Sequence, residues 1–167
     1  MTIFKDALDL QRILKDLAEL TLSTTFFLEK LSGKNLHVCT LSQTEELMGG
    51  EIWLLREVVL FFSQQENPVL YCISKLRKSK LTDRAYLDLI EGKTPIGKIF
   101  YLLNGQDSIQ KKMVKVNKIS NEHIQQKLNC FNSPIFEKKY EYWIGNNKLG
   151  VIEEYYGLET LSRIYDN

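Results

Sequence analysis

The sequence of 167 residues contains little histidine, cysteine or proline, with two, three and three residues of these types. The two histidines, His37 and His123, lie far apart, and no cysteine or histidine pair has the spacing of zinc ligands. We therefore expect no metal site. The three cysteines, Cys39, Cys72 and Cys130, are odd in number and widely spaced, which indicates reduced thiols rather than a disulfide framework.

Long apolar runs and an excess of one charge are also absent. Lysine, aspartate and glutamate interrupt every apolar run before it reaches the length of a transmembrane helix. The formal net charge of +1 argues against attraction to nucleic acid or to an anionic membrane. The first ten residues lack the apolar core of a secretory signal. We expect one domain over residues 1–167 that binds neither nucleic acid nor membrane and stays in the compartment where it is made.

Arginine is scarce too, with 5 residues against 17 lysines, and one of the five interrupts an apolar segment. Arg56 lies within residues 53–62, a run that otherwise has the pattern of a buried strand. A guanidinium keeps its charge, so its burial requires an anion, and its planar fork matches a carboxylate. That anion is either a ligand or a protein carboxylate on an adjacent strand, and the pattern leaves both interpretations open.

The periodicity of the apolar residues predicts an α+β fold with a single antiparallel β-sheet and helices grouped around it. Strands are predicted at 36–41, 52–63, 69–75, 112–117, 136–144 and 149–156. Helices are predicted at 5–20, at 24–31 between Ser23 and Gly33, from Asp83 to Glu91, and at 121–128. The segment Thr94-Pro95-Ile96-Gly97 has the composition of a constrained loop.

Two adjacent glutamates in the last predicted strand are candidates for proton transfer. Alternation places Glu153 on one face of the strand and Glu154 on the other, each beside apolar neighbours. A carboxyl group on an apolar face ionises less readily, which suits acid–base chemistry near neutral pH. The alternative is that one glutamate faces solvent while the other pairs with Lys138 or Lys139 across the hairpin. The pattern by itself does not choose between the two glutamates.

Four segments together resemble the chorismate–pyruvate lyase family. They occur in the family's order over roughly residues 20–157: Ser23-Thr24-Thr25 with Glu29 and a glycine turn, Leu55-Arg56-Glu57-Val58-Val59-Leu60, Gly92-Lys93-Thr94-Pro95-Ile96-Gly97, and Leu149-Gly150-Val151-Ile152-Glu153-Glu154-Tyr155-Tyr156. Each motif is weak alone, whereas four in the same order are fairly specific.

The resemblance implies a fold, an activity and a set of site residues. Its fold is a single antiparallel sheet with helical flaps over a buried ligand, and its activity removes pyruvate from chorismate to leave 4-hydroxybenzoate without metal or organic cofactor. The ligand-contacting positions of the family fall on Thr24, Arg56, Ile96 and Glu153. Arg56 would bind the ring carboxylate, and Glu153 would act near the ether oxygen as general acid or base.

The resemblance also implies a metabolic role. We expect a monomer that supplies the aromatic head group of a quinone, in a bacterial cytoplasm or, if the gene is plastid-encoded, in the plastid stroma. Two alternatives remain. One is a non-catalytic small-molecule-binding domain of the same fold, similar to the ligand-sensing domains of some bacterial transcription regulators. The other is a lyase that gives a different hydroxybenzoate.

Overall fold

The computed structural model describes residues 2–21 and 23–164, and its centre is one six-stranded antiparallel sheet. The strands lie in the order β1-β2-β3-β6-β5-β4, and every neighbouring pair is antiparallel. Their bounds are β1 His37–Met48, β2 Glu51–Phe61, β3 Leu70–Arg77, β4 Ile109–Ile119, β5 Ile135–Ile144 and β6 Asn147–Gly157. The predicted α+β class with a single antiparallel sheet is confirmed.

Six α-helices connect or flank these strands within the described residues. They are α1 Thr2–Glu19, α2 Thr24–Ser32, α3 Asp83–Glu91, α4 Ile96–Asn104, α5 Glu122–Leu128 and α6 Leu158–Arg163, with two short 3₁₀ turns at Lys78–Lys80 and Gln106–Ser108. None of these helices is long and apolar enough to cross a membrane.

Local signals in the sequence set the ends of several helices. The hydroxyl of Ser23 accepts a hydrogen bond from the backbone N–H of Phe26 and caps α2, which ends at Gly33 in the left-handed conformation with φ 68°. Helix α3 ends in the same way at Gly92. Its N-cap is Thr82 rather than Asp83, because the Thr82 hydroxyl accepts from the N–H of Ala85.

The predicted loop at residues 94–97 is wrong, because α4 begins at Ile96. Pro95 is its N-cap, a position that tolerates the missing N–H of proline. Two strands are also longer than predicted. Strand β1 runs to Met48 as one arm of a hairpin that turns at the two glycines 49–50, and β4 begins at Ile109 rather than at Lys112.

The sheet buries apolar side chains on both faces, but unequally. The larger cluster lies on what we call the inner face, which carries Arg56 and Tyr140 and packs against α1, α2 and α4. The smaller cluster lies on the outer face, where Leu128 of α5 packs against Tyr71 and Tyr155. The inner face is therefore the side on which a small molecule can be enclosed.

Candidate functional site

The sheet and the first turns of two helices enclose a cavity on the inner face. Its polar lining consists of Ser23, Thr24, Thr25, Arg56, Ser74, Lys111 and Glu154, and apolar residues from β2, β3 and α4 with two tyrosines of β5 complete it. The free volume is about 30 Å³, room for no more than about two water molecules. Binding of a ring-sized ligand therefore requires the covering helices to move outward.

Arg56 enters this cavity from β2, on the same face as Val58 and Leu60, as the alternation predicted. Its side chain is 2% exposed, and its Nη2 donates one long hydrogen bond of 3.4 Å to the carbonyl oxygen of Thr94. Its Nε is buried without a hydrogen-bond partner. Desolvation lowers the pKa of the guanidinium, although an arginine of this kind remains charged at neutral pH.

The ion-pair interpretation of Arg56 is not supported by the part of the chain that the structure describes. No described carboxylate forms an ion pair with it, and the residue opposite it on β3 is Ser74. A buried guanidinium with an unused N–H is costly unless an anion joins it. Arg56 is thus available to a carboxylate of a ligand.

Glu154 supplies the carboxylate of the cavity and is 3% exposed. Its Oε1 accepts hydrogen bonds from the hydroxyls of Thr24 (2.8 Å) and Tyr140 (2.7 Å), and its Oε2 accepts one from the Tyr156 hydroxyl (2.6 Å). The ammonium group of Lys111 lies 3.9 Å from Oε1. Side chains from β4, β5, β6 and the start of α2 therefore surround one carboxylate.

These neighbours decide the ionisation of Glu154. Burial opposes ionisation of the carboxyl group, but the positive charges of Lys111 and Lys138 and the tyrosine hydroxyls outweigh burial and hold its pKa below the usual value. Burial together with this negative charge raises the pKa of Tyr140 and of Tyr156. Glu154 is therefore a carboxylate at neutral pH, ringed by hydroxyl groups that keep their protons.

Glu153, the glutamate that the resemblance indicated, lies on the outer face, away from Arg56. Its carboxylate accepts from the Tyr155 hydroxyl at 2.6 Å and lies 3.8 Å from the ammonium of Lys139, and its side chain is 26% exposed. This is the cross-strand pairing that the alternative interpretation described. The expectation that Glu153 faces the cavity is corrected by one residue, because β6 pairs Glu154, not Glu153, with Cys72 on the inner face.

Thr24 and Ile96 both lie at the cavity, at the starts of α2 and α4. The Thr24 hydroxyl accepts a hydrogen bond from Lys111 and donates one to Glu154, so Thr24 contributes its side chain to the site. Pro95 provides no side-chain cap, so the first N–H groups of α4 have no capping partner from that residue. An added Cβ at Gly97 would overlap the hydroxyl of Ser23, so glycine permits the two helix starts to meet.

Two buried lysines of the site were missed in the sequence. Lys111 was not noticed because the predicted strand began one residue after it, although alternation with Ile109 would have placed both on one face. The alternative interpretation has Lys138 as a pairing partner of a glutamate across the hairpin. Its Nζ instead donates to the carbonyl oxygens of Leu17 (2.5 Å) and Leu20 (2.8 Å), which ties the end of α1 to the sheet.

The arrangement suits the binding of an organic anion rather than of a metal ion. Among the described residues, no three histidine, cysteine, aspartate or glutamate side chains group closely enough to hold a metal. Two cations, an ionised carboxylate and a row of aromatic rings instead surround one small space. Chemically, such a site can hold a carboxylate at Arg56 and a polar group at Glu154, with apolar surface between them.

Comparison with known proteins gives a fold and no sequence family. No family model matches the chain, and no curated protein matches its sequence. Solved structures do match. The effector domain of PhnF from Mycobacterium smegmatis has a TM-score of 0.61 at 13% identity, covering 81% of this chain and 88% of that one.

Other matches are of the same kind. The C-terminal domain of the histidine utilization repressor from Pseudomonas syringae has a TM-score of 0.56 at 11% identity, covering 74% of this chain and 92% of that one. The ligand-binding domain of a GntR-family regulator from Bordetella bronchiseptica has a TM-score of 0.54 at 15% identity, covering 73% and 84%. The chain spans 63% of the longer PhnF structure. The protein thus shares its fold with these effector, C-terminal and ligand-binding domains.

Proposed function

We propose that this protein binds a small cyclic carboxylate in the cavity of the inner face. The observation that carries the proposal is the buried Arg56, whose Nε has no partner and which forms no ion pair within the described residues. A ligand carboxylate would complete its hydrogen bonds, and the N-terminal turns of α2 and α4 would add backbone N–H groups and favourable dipoles.

We further propose that the ligand is chorismate and that the protein eliminates pyruvate from it to give 4-hydroxybenzoate. Support comes from the four motifs, from the shared fold and from the presence of Arg56 and a buried carboxylate in the lining of one cavity. The carboxylate is Glu154 rather than Glu153. Arg56 would bind the ring carboxylate, and the ether oxygen, on the ring carbon two positions from the one that bears this carboxylate, would lie near Glu154.

The reaction needs only positioning and one proton movement. The bond between the ring carbon and the ether oxygen breaks, and this oxygen leaves with the side-chain fragment. The adjacent ring carbon, which carries the hydroxyl group, loses its hydrogen as a proton, so that the ring becomes aromatic and this hydroxyl becomes the phenol. The methylene carbon of the fragment gains a proton to give pyruvate. Glu154 is ionised and could accept the proton or orient the ether for an intramolecular transfer. Exclusion of water by α2 and α4 would hold the substrate in the reactive conformation.

A second function is favoured by the comparisons. The matched structures are effector and ligand-binding domains of regulators, so the same cavity could bind a carboxylate without changing it. The three hydroxyls that hydrogen-bond Glu154 also fit this function, since a carboxylate so fully occupied is a weaker base. A related lyase that releases another hydroxybenzoate isomer is a variant of the first function.

Incubation of the purified protein with chorismate, followed by chromatography, separates these functions. Equimolar 4-hydroxybenzoate and pyruvate are the expected products. A different aromatic product would indicate a related lyase, in which the covering helices determine which isomer forms. Binding of chorismate or 4-hydroxybenzoate without turnover would establish the sensor-like function. Absence of both binding and turnover would overturn the proposal and leave Arg56 without a ligand.

A further inference from the structure

Three buried cations surround one buried carboxylate at the cavity. Arg56 and Lys111 line the cavity together with Glu154, and Lys138 lies behind it with its ammonium group on backbone carbonyls of the α1 region. Because Glu154 offsets only one of three positive charges, these groups leave an excess of two. An unbalanced charge in a buried site is costly, and an anion with two negative charges would offset it.

The position of Lys111 on an edge strand does not explain its burial. Its neighbours on β4, Lys112, Lys115 and Lys118, are exposed, whereas the Lys111 side chain is only 1% exposed. A lysine on an edge strand can place its ammonium group in water at little cost. Lys111 instead extends across the inner face into the cavity, so its charge has a role there.

Contacts with described residues do not satisfy the ammonium group of Lys111. It has three N–H donors, and one donates to the Thr24 hydroxyl at 2.6 Å. The Glu154 oxygen at 3.9 Å is beyond hydrogen-bond distance. The ring of Tyr140, 4.7 Å from Nζ, adds a cation–π contact. Donor capacity thus remains next to the cavity, and desolvation lowers the pKa of Lys111 as expected for a cation short of partners.

Arg56 and Lys111 both lie on the inner face but come from strands near opposite edges of the sheet. Their strands β2 and β4 are separated by β3, β6 and β5, which corresponds to about 19 Å between the strand axes at the usual spacing. Both side chains nevertheless line the same cavity. Glu154 on β6 lies between them.

We propose that Lys111 is a second anion-binding residue of the cavity, which binds the far carboxylate of a dianionic ligand whose first carboxylate binds Arg56. The inference rests on the proposed function and adds the residue that distinguishes a dianion from a monoanion. For a ligand with one carboxylate on the ring and one on an ether side chain, Lys111 binds the side-chain carboxylate. Glu154 then faces the ether between the two cations.

The test uses two unreactive ligands that differ only in the second carboxylate: 3-(1-carboxyethoxy)benzoate, a dianion, and 3-ethoxybenzoate, a monoanion. Their affinities are measured by calorimetry for the wild type and for Lys111→Met, Lys111→Arg and Lys115→Met. The wild type should prefer the dianion. Lys111→Met should weaken dianion binding by about 10- to 100-fold, the loss of one charge-assisted hydrogen-bonded contact, and should change monoanion binding less than about 3-fold.

Lys111→Arg should keep the preference for the dianion, and Lys115→Met, an exposed lysine of the same strand, should bind both ligands as the wild type does. Equal loss of both ligands in Lys111→Met would overturn the assignment, because Lys111 would then only support Thr24 and Glu154. A wild type that binds both ligands equally would also overturn it, even if Lys111→Met does not fold. A wild type that binds neither ligand would overturn the proposed function and this assignment with it.

Discussion

Arg56 lowers the stability of the ligand-free protein, but it offers a buried positive charge for binding an anionic ligand. Its guanidinium is buried, uses one long hydrogen bond and has an Nε without a partner among the described residues. A buried charge with so few partners destabilises the ligand-free protein. Retention of such a group is understandable if a ligand provides the missing anion.

Replacement of Arg56 by methionine should separate stability from binding. Arg56→Met should leave the free energy of unfolding unchanged or raise it by about 1–3 kcal/mol, because an isolated buried charge is replaced by an apolar side chain of similar length. It should weaken binding of 4-hydroxybenzoate by at least about tenfold. Urea unfolding and calorimetry measure the two effects. The control is Arg84→Met, since that side chain is 73% exposed; a large loss of stability in Arg56→Met alone would indicate a structural role.

Glu153 and Glu154 form a matched pair of adjacent carboxylates on opposite faces of β6. Glu154→Gln should reduce turnover of chorismate by about 10²- to 10⁴-fold and cost about 3 kcal/mol of stability, because two buried lysines lose their counter-charge. Glu153→Gln should leave turnover within about twofold and stability within about 1 kcal/mol, since its pair with Lys139 is partly exposed. Product formation and urea unfolding measure both. A larger loss of turnover in Glu153→Gln than in Glu154→Gln would indicate that Glu153 is the functional glutamate.

At the scale of elements, the site depends on how closely α2 and α4 approach each other. The two helices meet where Gly97 lies against Ser23, and an ion pair of 2.6 Å between Lys98 and Glu29 joins them further along. The ring of Phe26 also packs on that of Tyr101, with centroids 4.5 Å apart. The pair of helices therefore covers the cavity as one unit.

Gly97→Ala should destabilise the protein, although alanine is intrinsically better in a helix by about 1 kcal/mol. The new Cβ would overlap the Ser23 hydroxyl, and such overpacking costs about 1–3 kcal/mol. Ser23→Gly removes the hydroxyl that the new Cβ would overlap, and loss of this N-cap to glycine costs only about a few tenths of a kcal/mol. In the Ser23→Gly background, Gly97→Ala should therefore destabilise the protein less than it does in the wild type. A double-mutant cycle by urea unfolding measures this coupling. Equal costs in the two backgrounds would show that the helices do not meet through these residues.

At the scale of the whole molecule, Lys138 links the sheet to the N-terminal helix. Its side chain is fully buried, and its ammonium group donates to carbonyl oxygens at and just after the end of α1. Desolvation, with repulsion from Lys111, lowers its pKa to about 8. The unfolded chain binds this proton with an ordinary lysine pKa of about 10.4. Between these two values the unfolded state holds a proton that the folded state has released, so stability rises with pH.

The pH dependence of stability should therefore reveal Lys138. From pH 8 to pH 10 the free energy of unfolding of the wild type should rise relative to that of Lys138→Met, by up to about 1.4 kcal/mol per pH unit. Urea unfolding at several pH values measures this difference. Lys139→Met is the control, because that neighbouring side chain is 43% exposed. A difference between wild type and Lys138→Met that does not change with pH would contradict the lowered pKa.

The sequence by itself determined the elements whose signals are local. Serine and glycine at the ends of α2, the alternation in β2 and the hairpin of β5 and β6 specify structure over short stretches, and they predicted the fold class and the burial of Arg56. The predicted loop at 94–97 was wrong because a proline at a helix start and a proline in a turn have the same local chemistry.

Only the tertiary structure decided which groups meet. A strand presents one glutamate to each face, and the pairing of β6 with β3 put Glu154, not Glu153, beside the Arg56 cavity. Lys111 became buried because β4 pairs with β5 at the far edge, a contact between segments some thirty residues apart in sequence. Register and strand order depend on long-range pairing that no local pattern encodes, so the charge balance of the cavity appears only once the sheet is assembled.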